Sequence, residues 1–188
     1  EQLAQLGFTN LHPIDTWQAQ PFRKGDAELL VTAMPAKHAP DHLVQLLPPV
    51  MGSMLEFSRR GEHLFRLYIS GDTLIYDLLH DIPRRYPEID LGLFHVGGTT
   101  LLGVLVTMSG EQGVQAVEII HPHVAIPIHF NDYSVFLSGL DDFKAAATRA
   151  SLTTSVHYLL QGDTYRFSVE RGQMGTDQGE VPPVRKAF

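Results

Sequence analysis

Leu67-Tyr68-Ile69-Ser70-Gly71-Asp72-Thr73 is the stretch around which the rest of this 188-residue chain can be read. Leu67 to Ile69 is an apolar run with an aromatic and a β-branched member, which is the composition of a strand. Ser70-Gly71 breaks it, and Thr73 to Leu79 (TLIYDLL) then carries apolar residues at helical spacing. Asp72 therefore stands at the C-terminal edge of a strand. α/β sheets place ligands at that edge, because the loops there splay open. Taken alone, Asp72 reads first as the N-cap of the helix that follows.

Two further segments repeat the pattern. Glu28 to Met34 is strand-like and leads through Pro35-Ala36-Lys37 to His38, and Val124 to Ile128 is strand-like and ends on His129. Capping does not account for three strands that each deliver a metal-competent side chain at the same end. Imidazole nitrogen and carboxylate oxygen suit Zn²⁺ and its neighbours in the transition series.

Length and composition narrow the class. A chain of 188 residues is one domain or most of one, and it is long enough to bury a substantial core. Hydrophobic residues make up 44%, and no apolar run approaches the length of a membrane span. The formal charge of −7 argues against generic nucleic-acid binding, which needs a basic face. The absence of cysteine excludes disulfides, thiolate zinc and cysteine nucleophiles. No signal-peptide pattern is visible, so the expected location is the cytoplasm.

Outward from the central stretch, Met51–Ser58 and His63–Ile69 flank Arg59-Arg60-Gly61-Glu62 as a hairpin. Upstream, Glu1–Leu6 reads as a helix end closed by Gly7. Thr9–Ile14 and Thr16–Phe22 read as short strands, Arg23–Asp26 as a turn, and residues 35–50 as a Pro- and His-rich loop. Downstream, a helix is expected from Asp72 to about Arg85, a strand over Asp90–His95 and a helix over Glu111–Ile120 stopped by Pro122. A helix over Leu140–Ala150 and a closing hairpin, Val156–Leu160 with Tyr165–Val169, complete a mixed α/β (α+β) domain over residues 1–170. Residues 171–188 read as a loose polar tail.

Several histidines compete for a role. His38 and His42 have the spacing of a helical zinc pair, but Pro40 lies between them and the Glu of HExxH is missing. His121-Pro122-His123 imitates an H-x-H pair at the start of the strand whose far end carries His129. Six residues at about 3.3 Å each put it roughly 20 Å away. His63 is at the wrong end of its strand for the same reason, and His12, His80 and His157 read as surface or half-buried side chains. His95 differs, because it ends a strand on the same edge as Asp72. It reads either as a candidate catalytic residue or as a strand-end histidine bonded to backbone. Gly97-Gly98-Thr99-Thr100 could offer backbone N–H groups to an anion, but it lacks the P-loop and dinucleotide signatures. The absence of GxSxG argues against a serine hydrolase.

Pro35-Ala36-Lys37-His38, Ser70-Gly71-Asp72-Thr73 and Ile126-Pro127-Ile128-His129-Phe130, in that order, resemble the last three metal motifs of the metallo-β-lactamase-fold hydrolases. The branch they resemble contains N-acylphosphatidylethanolamine phospholipase D and ascorbate-6-phosphate lactonase. The run from His95-Val96-Gly97-Gly98 through Val106-Thr107-Met108 to Asn131-Asp132-Tyr133 resembles bacterial members of that branch. The resemblance covers nearly all of residues 7–170. It implies an αββα sandwich with a pair of divalent ions at one edge, zinc first, with manganese or iron also compatible. By it, His38 binds one ion, Asp72 bridges both and His129 binds the other.

The first metal signature of that family, H-x-H-x-D-H, is absent, and the chain opens on Glu1 without Met. The expectation is that these residues are the C-terminal major part of the domain, lacking its N-terminal strands and inactive alone. The expected activity is hydrolysis of an ester, lactone or phosphodiester of a small molecule by metal-activated water. The expected partner is a small-molecule substrate and not a nucleic acid, and a homo-oligomer is compatible with the sequence. The rival from another class is a non-catalytic binding or scaffolding module with a degenerate version of the fold. A nuclease of the same fold is disfavoured by the acidic balance.

Overall fold

The computed structural model describes residues 2–132, 134, 136–170 and 173–175. After α1 (Gln2–Gln5), two hairpins lay down four antiparallel strands: β1 (Ala19–Lys24), β2 (Ala27–Met34), β3 (Gly52–Arg59) and β4 (Glu62–Ile69). The hairpin tips are clamped together, because the Asp26 carboxylate accepts from both Arg59 Nε and Arg60 Nε at 3.1 Å. The chain then switches to parallel crossovers. α2 (Asp81–Arg85) precedes β5 (Leu91–His95), and β6 (Thr100–Leu101) with β7 (Val104–Leu105) forms a small hairpin. α3 (Gly110–Ile120) leads to β8 (Val124–Ile128), and α4 (Leu140–Ala150) leads to β9 (Ser155–Val156). The result is a seven-stranded sheet in the order β1-β2-β3-β4-β5-β8-β9. Beyond it, β10 (Ser168–Glu170) pairs antiparallel with β11 (Gln173–Gly175).

The order follows from connection length. Antiparallel strands need only a tight turn, whereas parallel neighbours need a crossover long enough for a helix. α3 starts where Ser109 Oγ accepts from Gln112 N, and it ends where His121 turns left-handed (φ 51°) before Pro122. Side chains alternate across the sheet. Met34, Met54, Tyr68, Phe94 and Ala125 point to one face and pack beneath α3 (Val114, Val117, Ile120) and α4 (Phe143, Ala146). Phe65, Leu91, Val124 and Ile126 point to the other face, under a strap carrying Leu159, Tyr165 and Phe167. Phe167 stacks on Phe65 with ring centroids 4.6 Å apart. No helix among the described residues is long and apolar enough to cross a membrane.

Three sequence expectations fail. Thr9–Ile14 is irregular, because among the described residues no strand lies beside it to take its hydrogen bonds. The helix expected from Asp72 begins only at Asp77, as a 3₁₀ turn (Asp77–His80) running into α2. Residues 73–76 are instead held by backbone bonds to other segments, Leu74 N to Lys37 O and Met108 N to Thr73 O. The closing hairpin is also absent. Ser155–Val156 pairs in parallel with β8, and the residues after it pack as the strap while turning at Gly162. Within the expected tail, Gln173–Gly175 is strand; the rest of residues 171–188 lies outside the described set, as does Tyr133.

Candidate active site

The parallel register decides where the strand ends meet. Ile69 lies beside Leu93, Leu93 beside Ile126, and His95 beside Ile128. Asp72, His95 and His129 therefore leave the sheet along one edge. β2 runs antiparallel to β3, which in turn runs antiparallel to β4, so the C-terminal end of β2 comes to that edge too. There the His38 loop is stitched to the Asp72 loop: Lys37 N donates to Thr73 Oγ1 at 2.9 Å, and Leu74 N donates to Lys37 O at 2.8 Å.

Each side chain is set by its neighbours. His38 Nδ1 lies 2.8 Å from the carbonyl oxygen of Val106. A carbonyl only accepts, so Nδ1 carries the proton and Nε2 of the neutral ring keeps its lone pair. Asp72 follows Gly71, whose φ of +61° and closeness to Met51 O exclude a side chain there. Asp72 Oδ1 is buried without a hydrogen-bond partner, 3.6 Å from His129 Nδ1. His129 itself holds a left-handed backbone (φ 65°), a conformation that costs a non-glycine residue free energy and tends to occur at functional sites. Its ring lies 4.8 Å from Phe136 and 5.3 Å from His95. On its other side, Nε2 is 3.8 Å from Asp132 Oδ2. Asp132 is in turn held by Gln161 Nε2 at 3.1 Å, so the strap reaches the site.

His95 is fixed through Ser70, whose buried Oγ accepts the His95 backbone N–H at 2.9 Å and lies 3.4 Å from Nδ1. Burial pushes the His95 pKa below its ordinary value. The carboxylates of Asp72 and Asp132 pull it back up, and His129 opposes them. The net direction is downward, so His95 is neutral near pH 7.

The four side chains singled out from the sequence thus gather at one edge, and the decoys fall elsewhere. His123 sits at the start of β8, 3.3 Å from Glu88, and His63 is at the start of β4. His157 lies against Tyr165 and His12 against Phe22. The Gly97 and Gly98 amides both donate to Met108 O, so they are not offered to an anion. Sequence reasoning missed Asp132 as a neighbour of His129, although a carboxylate three residues beyond a strand-end histidine is a readable signal. It also took Ser70 as a breaker only.

A divalent ion suits these donors. A buried carboxylate oxygen with no hydrogen-bond partner, beside an imidazole, is a group that a cation would satisfy, and the Val106 bond is the outer contact that metal-bound histidines make. Among the described residues, however, no three His, Asp or Glu side chains close around a single point.

Comparison with known proteins agrees with this architecture. Residues 1–130 match the beta-lactamase superfamily domain. The chain belongs to that superfamily. Over 148 residues it is 26% identical to a metal-dependent hydrolase of Archaeoglobus fulgidus, covering 74% of this chain and 58% of the relative. It is 33% identical over 103 residues to a metal-dependent hydrolase of Alkaliphilus metalliredigens, covering 54% and 40%. The chain spans about half the length of the curated relatives it matches. An isothiocyanate hydrolase from Delia radicum gut bacteria shares the fold, with a TM-score of 0.69 at 15% identity over 90% of this chain and 64% of that one. So does a metallo hydrolase of Ignicoccus hospitalis, with 0.60 at 21% identity over 95% and 65%. The fold is that of the metallo-β-lactamases, built here as a mixed sheet with helices.

Proposed function

We propose that this chain is the ligand-bearing part of a metal-dependent hydrolase that acts on an ester, lactone or phosphodiester bond of a small molecule. The observation that carries this reading is Asp72 Oδ1, buried without a hydrogen-bond partner beside His129 on the edge where His38 and His95 also emerge. The relatives' description as metal-dependent hydrolases supports it. His38 would hold one ion through Nε2 and His129 a second. Asp72 would lie between them, since a carboxylate has an oxygen for each. Zinc suits this set best, with manganese or iron as the alternatives. Divalent ions held there would supply hydroxide near neutral pH and polarise the oxygen of the bond under attack.

The remaining work falls to the chain's own groups. Val106 O holds the His38 ring in one orientation. Asp132, which accepts a hydrogen bond from Gln161, places a carboxylate 3.8 Å from His129 Nε2. Neutral His95, held through Ser70, can donate a hydrogen bond to a substrate oxygen or accept one from a departing hydroxyl.

The reading is tested by measuring metal content and hydrolysis of generic ester, lactone and phosphodiester substrates in the whole protein and its Asp72→Ala variant. Wild-type metal content in the variant would refute the assignment. A non-catalytic binding module is the second reading. It is favoured by the failure of any three donors to close on one point among the described residues. The same screen separates the two, since a scaffold shows no turnover even when loaded with metal.

A further inference from the structure

Ser70 directly follows β4, and His95 ends β5, the parallel neighbour of β4. The Ser70 side chain is buried, so its hydroxyl has to find its partners inside the protein. Three surround it. The His95 backbone N–H donates to Oγ at 2.9 Å, Gly71 O lies 2.9 Å from Oγ, and His95 Nδ1 lies 3.4 Å away. A hydroxyl has one proton to give and two lone pairs to offer. The His95 amide only donates and Gly71 O only accepts, so the amide takes one lone pair and the carbonyl takes the proton. One lone pair remains for Nδ1, and only a ring protonated on Nδ1 can meet it. The other tautomer would set two lone pairs against each other, or draw the hydroxyl proton away from the nearer carbonyl. At 3.4 Å the contact is long, as catalytic hydrogen bonds often are before a substrate is bound.

We infer that Ser70 is a positioning residue that holds His95 in the Nδ1–H tautomer, so that Nε2 presents a lone pair and the ring enters hydrolysis as a proton acceptor. The catalytic role rests on the hydrolase reading above; the tautomer does not. Nε2, on the far side of the ring from Ser70, has no hydrogen-bond partner among the described residues. Of the two roles open to a neutral imidazole, donor or acceptor, Nε2 is left with the second. As an O–H bond of the attacking water breaks, its proton passes to Nε2, and the imidazolium returns that proton to the departing oxygen as the scissile bond opens. The groups that face the ring suit this exchange. Asp72 and Asp132 favour the imidazolium, His129 opposes it, and burial favours return to the neutral form. Holding the tautomer matters because a catalytic histidine with its proton on the wrong nitrogen loses orders of magnitude in rate with its geometry intact.

Long-range proton–nitrogen correlation NMR of the imidazole rings in the whole protein reads the tautomer directly, with the His95 signals assigned by their loss in His95→Ala. The expected wild-type pattern is a protonated Nδ1 and an unprotonated Nε2. Ser70→Ala should lose that preference, and Ser70→Thr, which keeps the hydroxyl, should retain it. Ser70→Ala should also lower kcat at least about tenfold with KM little changed, since the lost interaction serves proton transfer. In the His95→Ala background the same substitution should cost nothing further, because Ser70 acts through His95. A proton on Nε2 in the wild type would overturn the inference, and that spectrum decides the tautomer even if Ser70→Ala does not fold. A Ser70→Ala loss that persists in full without His95 would overturn it as well. The expected tautomer without turnover of any ester, lactone or phosphodiester would refute the hydrolase reading, and the catalytic role with it, while the hold of Ser70 on the ring stands.

Discussion

Replacing Gly71 by alanine places a methyl group where there is no room. Its φ of +61° lies in the left-handed region, and an added Cβ would sit 2.4 Å from Met51 O and 3.2 Å from Met51 C. Gly25, in the β1–β2 turn, has the same φ of +61° but nothing within 4 Å of the added atom. The pair separates two costs. Gly25→Ala should lose about 1 kcal/mol for the backbone conformation alone. Gly71→Ala should lose that and about 2 kcal/mol more, because a carbonyl fixed at the start of β3 has to be displaced. The total of about 3 kcal/mol is roughly 6–12 °C in Tm for a domain of this size. Urea unfolding followed by circular dichroism measures both variants, with m-values checked for equality. Since Asp72 is the next residue, Gly71→Ala should also weaken metal binding in the whole protein, whereas Gly25→Ala should not. Equal losses from the two substitutions would show that the Met51 carbonyl is not the obstacle and that the Asp72 loop is not held as described.

In the whole protein, Asp72→Ala should remove both ions or leave one weakly held, with hydrolysis down by orders of magnitude and the fold retained. His121→Ala and His123→Ala should leave metal content unchanged, and loss of metal from either would overturn the placement of that pair away from the site. His95→Ala should lower kcat/KM by roughly 10²-fold without releasing metal if the ring acts in proton transfer; unchanged kinetics would reduce it to a structural histidine. The 188-residue chain alone should bind fewer than two ions, and weakly, with no turnover, because too few donors close on either position. Two tightly held ions, counted by elemental analysis, would refute that.

Where an element is made by its own residues, the sequence was enough. α4 occupies Leu140–Ala150 and β8 occupies Val124–Ile128 as expected, because an amphipathic period and a β-branched run bounded by proline and histidine are local signals. The strand ends bearing His38, Asp72 and His129 were legible for the same reason. Elements that depend on a distant partner were not. Residues 73–76 have helical spacing, yet the Lys37 and Met108 segments take up their backbone groups, so the helix starts late. The apolar residues of 156–167 read as a closing hairpin, which the fold does not form. Whether they pair as strands or lie as a strap depends on β8, which takes only Ser155 and Val156. Asp132 meets His129 through a loop pinned by Gln161, 29 residues further along the chain. Local composition thus marked the candidate side chains, and strand register, antiparallel from β2 through β4 and parallel across β4, β5 and β8, brought them to one edge, since strand pairing is a non-local choice.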